Sequence, residues 1–139
     1  LAQLAAQNIP EMILGSNFAP VGVVLPLDGH HKPSYRIRSQ ATASKPLRKQ
    51  IWLRLIRHKI AAQAVLLEDT GYASERVQRL SFTVLSGDLD NREGQAAQMY
   101  WPLLFGKNFR RNRDLKGVNA MLNYCYAVLC FPTARAVVS

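Results

Sequence analysis

The stretch from Lys45 to Glu68 constrains this chain more than any other feature. It runs through helix formers without a glycine, and its one proline, Pro46, stands in a first turn, where a missing N–H costs nothing. Ser44, immediately before it, supplies an oxygen for an N-cap. The spacing therefore predicts one long helix. Leu47, Ile51, Leu55, Ile56, Ile60 and Ala64 are apolar over more than one face, so the helix is expected to pack on several sides, its cations reaching outward along their aliphatic stems. A helix of that kind needs other helices around it.

The sequence offers them. Ser74 is placed to cap a helix in which Val77, Leu80, Val84 and Leu85 recur at helical spacing until Gly87. Asp88, Asp90 and Asn91 form a turn and cap for the next helix, from about Arg92, kinked or ended near Pro102. Gly106 to Lys116 reads as a basic loop. The last helix, about Val118 to Phe131, is apolar nearly all round, the pattern of a helix at the centre of a bundle.

The first residues read differently. Leu1 to Ile9 has the spacing of a helix tail ended by Pro10, and Met12–Leu14 and Val21–Leu27 are short β-favouring runs separated by Gly15, Ser16, Asn17 and Pro20. Asp28 to Ser44 shows no periodicity and reads as a basic linker. The expected fold is thus mainly α. Residues 1–28 would be a remnant of a β domain with two short strands, 29–44 a linker, and 45–139 an incomplete helical domain. With no initiating Met, the start has the look of an interior cut.

Charge narrows the function. The formal net charge is +9, and nine cations from Lys32 to Lys59 have no acid among them. A second cluster, Lys107, Arg110, Arg111, Arg113 and Lys116, is answered only by Asp114. Two such fields suit phosphates, which makes nucleic acid the natural partner. The alternative is a solvated basic face that maintains solubility. Cys125 and Cys130 support neither a disulfide framework nor a zinc site and are expected to be reduced and buried. No uncharged apolar run is long enough for a membrane span.

Glu93 is the residue with most chemical promise. Ala97, Tyr100 and Leu104 follow it at helical offsets, which sets a carboxylate in line with an apolar stripe. A carboxylate so placed needs a metal, an arginine, several donors or a proton. Against this stands the ordinary acid of a helix's first turn, which favours the dipole and stays wet. Asn119, Asn123, Tyr126 and Cys130 make a polar seam along the last helix, fit either to line a wet site or to fix helix register. Asp28, His30 and His31 lie in the linker and are not expected to bind metal, and His58 belongs to the basic helix.

Several blocks in order carry a resemblance. Residues 86–101 (SGDLDNREGQAAQMYW), 104–106 (LFG) and 118–129 (VNAMLNYCYAVL) resemble the CRISPR-associated integrase of spacer acquisition, and 20–31 (PVGVVLPLDGHH) with 49–53 (KQIWL) are similar to its type II form. That resemblance implies a β-rich N-terminal domain that dimerises and a helical domain holding Mg²⁺ or Mn²⁺ through a Glu, a His and a further acid. Glu93 matches the Glu. Residues 133–139 (TARAVVS) resemble the segment just before the family's metal-binding His, so two ligands would be absent and the site incomplete. Cys130, Phe131 and Pro132 depart from the Arg- and Ala-rich continuation usual there.

The resemblance further implies a bacterial cytoplasmic enzyme that joins the 3′-hydroxyl of a captured DNA to a CRISPR repeat with a small companion adaptation protein. Glu93 would anchor the metal as the catalytic residue. Arg54, Arg57, Lys59, Lys107, Arg110, Arg111 and Arg113 would hold DNA phosphates without reading sequence, and Asn119 and Asn123 would support the site as donors. The competing expectation is a non-catalytic DNA-binding or assembly module that keeps only the basic surface.

Overall fold

A computed structural model describes residues 2–7, 9, 11–18, 20–24 and 33–138. Asp28, His30 and His31 lie outside the described residues. In chain order the elements are α1 (Ala2–Ala6), β1 (Glu11–Leu14), β2 (Pro20–Val24), α2 (Pro33–Ala41), α3 (Lys45–Asp69), α4 (Glu75–Thr83), α5 (Arg92–Phe105) and α6 (Val118–Val138). The fold is mainly α with one small sheet, as expected. Contacts group the chain into two compact units, one of residues 43–111 and one of residues 1–42 with 112–139.

In the unit of residues 43–111, α3 begins where the sequence places it. Ser44 is the N-cap in an extended conformation, its side chain accepts from the Leu47 N–H, and Pro46 occupies the first turn. The helix ends in paired capping bonds, the Tyr72 N–H to Leu67 C=O at 2.8 Å and the Gly71 N–H to Glu68 C=O at 2.9 Å, with Gly71 at φ +78°. Between these ends Ile56, Ile60, Ala64 and Leu67 form a single buried stripe. Val77, Val84, Ala96 and Tyr100 complete the core against it. Packing on several sides is not what the structure shows: Leu47, Ile51 and Leu55 are exposed, because only α4 and α5 cover α3 in this unit and both lie along one stripe.

Helix α4 stops at Thr83 rather than Gly87. Val84 leaves the helix in an extended conformation but stays buried, and its carbonyl accepts from Arg57 Nη2 at 3.2 Å. Helical spacing cannot distinguish that arrangement from another turn of helix. Ser74 is the N-cap without a side-chain bond. Helix α5 runs through Pro102 to Phe105 instead of ending there, and the Gly106 N–H closes its last turn on the Pro102 carbonyl at 3.0 Å. The carbonyl four residues before Pro102 belongs to exposed Gln98, where water can take the bond the proline does not make.

In the other unit, β1 and β2 form an antiparallel hairpin, Glu11 opposite Val24, with a register slip between Ile13 and Leu14. Residues 33–41, expected as linker, are the helix α2. Its residues from Tyr35 on are exposed, so no apolar stripe announced it. Helix α6 continues to Val138 through Pro132, past its expected end at Phe131, and packs on α2 and both strands. It is no central bundle helix here. Among its described residues, Asn119, Asn123 and Ala127 are the buried ones, while Met121 is 68% exposed. Cys125 and Cys130 are free and exposed, not buried. Among the described residues no helix is long and apolar enough to cross a membrane.

The stripe makes the first prediction. Ile60 is wholly buried, so Ile60→Ala should lower unfolding free energy by about 2–5 kcal/mol, whereas the exposed Leu55→Ala should move it by less than about 0.5 kcal/mol. Urea titrations of the two variants check the contrast.

Candidate DNA-binding and acidic site

The start of α5 is built by three side chains from the turn before it. Asp88 and Asn91 both have positive φ, 51° and 52°, which Asp and Asn tolerate better than other residues. In that turn, Asp88 Oδ1 accepts from the Arg92 N–H at 2.8 Å and Oδ2 from the Glu93 N–H at 3.1 Å. Asn91 Oδ1 accepts from the Gly94 N–H at 3.1 Å. Three donors that a helix start leaves unpaired are thereby satisfied. Gly94 is required by this arrangement, since a Cβ there would stand 2.5 Å from Asn91 Nδ2. Asp90 closes the turn on the Arg92 guanidinium at 3.4 Å.

Glu93 is fixed at its backbone by that cap, and its carboxylate pairs with the Lys59 ammonium of α3. The side chains are 31% and 46% exposed, Glu93 and Lys59 respectively. The acid is neither buried among the apolar residues of α5 nor alone in solvent, and a lysine takes the place sequence reasoning gave to a metal, an arginine or several donors. An ion pair this open contributes about 0–1 kcal/mol, because water screens it and two side chains must be held.

The cations divide by environment. Arg54 and His58 lie one turn apart on exposed α3. Arg57 is exposed but spends one donor on the Val84 carbonyl. In the loop after α5, Arg110 Nη1 reaches the Phe109 carbonyl at 3.1 Å, Lys107 is exposed and Arg111 is half-buried. Arg113 belongs to the other unit, where its backbone carbonyl accepts from Asn123 Nδ2 at 2.8 Å. Asn123 also donates to the Asn17 carbonyl at 2.6 Å, and Asn119 Oδ1 accepts from the Asn112 N–H at 2.9 Å. Within their unit the two amides fasten the hairpin turn and the basic loop to α6. Farther along α6, Tyr126 and Cys130 are exposed.

Sequence reasoning missed two features. The lysine partner of Glu93 lies 34 residues away, and no local spacing signals such a pair. An aromatic ladder was legible but passed over. Trp101, Phe105 and Phe109 recur every four residues, with Trp101 stacked on Phe105 at 6.0 Å and Phe105 against Phe109 at 4.8 Å.

The donor set sets limits on a metal. Among the described residues no three His, Cys, Asp or Glu side chains gather to hold an ion. Asp88 is spent on backbone donors, Asp90 on Arg92, and the Glu93 carboxylate on Lys59. A magnesium ion asks for six oxygens in near-ideal octahedral geometry. The described residues do not meet that requirement.

Lys59→Gln should change unfolding free energy by less than about 1 kcal/mol. Asp88→Ala, which removes two capping bonds, should cost about 1–2 kcal/mol. Thermal unfolding followed by circular dichroism ranks the two.

A family model described as CRISPR associated protein Cas1 matches residues 1–139. The chain is 40% identical, over 139 residues, to a protein of Neisseria meningitidis serogroup C (strain 8013) named CRISPR-associated endonuclease Cas1. The match covers 99% of this chain and 45% of that relative, so the chain spans less than half the relative's length. With the family model matched from the first residue to the last, the chain belongs to the Cas1 family of CRISPR-associated proteins.

Proposed function

We propose that this chain contributes the DNA-gripping, Glu-bearing portion of a DNA endonuclease and integrase that inserts spacers into CRISPR arrays. The observation that carries the reading is the junction of α3 and α5, where the first turn of α5 holds Glu93 at a fixed place beside α3, which exposes Arg54, Arg57 and Lys59. Such an arrangement suits an acid that works beside a phosphodiester, with cations holding the backbone on either side and no base being read. Kinship to a protein named an endonuclease supports the same reading.

Mg²⁺ or Mn²⁺ belongs to this proposal. When bound, such an ion would orient a phosphodiester and stabilise its developing charge. Glu93 is the carboxylate this chain offers, and further oxygens would have to come from water, DNA phosphate or protein groups beyond the described set. Lys59 would release Glu93 for that role at small cost, given how open the pair is. A small companion adaptation protein and a second copy of the chain are the partners this reading implies.

A second reading has its own observation. With the Glu93 carboxylate neutralised by Lys59 and no cluster of metal-binding side chains among the described residues, the 139 residues alone suit a DNA-binding or assembly module. The proposal expects DNA binding by this chain, with affinity falling steeply as salt rises, and little or no cleavage of branched DNA with Mn²⁺. Cleavage assays on the chain and its Glu93→Ala variant test this. Strong cleavage lost in Glu93→Ala would mean that the site is complete within these residues. Salt-insensitive or undetectable DNA binding would overturn both readings.

A further inference from the structure

The aromatic ladder at the end of α5 is absorbed neither by the core nor by the acidic site. It starts in the interior, where Tyr100 is buried and meets Trp101 edge-on at 4.9 Å. Trp101 then stacks on Phe105, the planes within 20° of each other, and Phe109 leans against both at 6.0 and 4.8 Å. The ladder ends at the surface, where Phe105 remains 43% exposed. Its ring is backed by two aromatic neighbours, so it is held in place and presents open area at a small entropic cost.

The chain on either side of it carries one sign of charge. Lys107, Arg110 and Arg111 follow within six residues, and no Asp or Glu occurs between Glu93 and Asp114. Gly106, at φ +95°, turns the chain sharply out of α5, and the Phe109 N–H bonds back to its carbonyl at 2.9 Å, so the loop folds beside the ring. An apolar protein partner seated on Phe105 would have to desolvate these cations. A flat π-system that carries its own phosphates meets both demands, because the base covers the ring and the backbone neutralises the loop.

We infer that Phe105, supported by Trp101 and Phe109, is a stacking platform for an unpaired base of single-stranded DNA, with Lys107 and its neighbouring arginines holding the adjoining phosphates. This rests on the DNA-binding reading above and adds a preference to it. Duplex DNA keeps its bases stacked within the helix and offers the ring nothing, whereas a single strand offers a free face at every nucleotide. The loop cations contact backbone in either case and confer no such preference.

The test uses the 139-residue chain with a labelled oligothymidine and a labelled blunt duplex of equal length, both read by fluorescence anisotropy at fixed salt. Phe105→Ala should weaken oligothymidine binding by about 5- to 100-fold and leave duplex binding within about twofold. Phe105→Trp should keep the single-strand affinity, and Phe105→Leu, which retains apolar bulk without a ring, should lose it. Lys107→Ala should weaken both ligands alike and flatten the salt dependence. Circular dichroism confirms that each variant is folded. Equal losses on both DNAs in Phe105→Ala, or no loss on either, overturn the platform while leaving DNA binding intact. Failure of the unaltered chain to bind either DNA removes the underlying reading as well.

Discussion

The stripe of Ile56, Ile60, Ala64 and Leu67 on α3 is the constraint from which the architecture of residues 43–111 follows. These side chains recur at four, four and three residues, so they lie in one line, and an apolar line on a helix must be covered. Helices α4 and α5 cover it with Val77, Val84, Ala96 and Tyr100. Once they are in place, the neighbouring positions of α3 are decided too. Arg57 falls within reach of the carbonyl that ends α4, and Lys59 within reach of the first turn of α5. The candidate site is thus a rim of the core, its geometry set by packing rather than by its own weak electrostatics.

That origin explains why the turn before α5 is so fully hydrogen-bonded. An exposed ion pair does not fix a carboxylate by itself. The backbone of Glu93 is held by Asp88, and the next residue by Asn91, so the acid's starting point is determined before its side chain finds any partner. Gly94 keeps the cap clear of a side chain.

Much of the helical frame was legible because its punctuation is local. Ser44, Pro46 and Asn91 mark helix starts through capping chemistry that depends on immediate neighbours. What escaped the sequence depends on distant ones. Val84 keeps its place in the core after leaving the helix, so periodicity ran past the true end of α4. Helix α2 has no apolar stripe from which to be inferred, and Pro102 and Pro132 each sit inside a helix that loses one bond on an exposed face and continues. At the site, Glu93 was singled out by its position, but the ammonium that answers it comes from another helix. The apolar character of α6 and its two cysteines suggested burial, which composition alone cannot assign to a particular face.

Helix α6 holds to its unit by a seam in which, among the described residues, two asparagines and one alanine are buried. Amides clasping the Asn17 and Arg113 carbonyls and the Asn112 N–H supply direction, while little hydrocarbon is removed from water. Detaching this helix would therefore expose modest apolar area, leaving a faint heat-capacity signature and a shallow response to denaturant. Its grip is that of a clasp with defined teeth, sensitive to the loss of a single carboxamide and nearly indifferent to the outer methyl groups it displays.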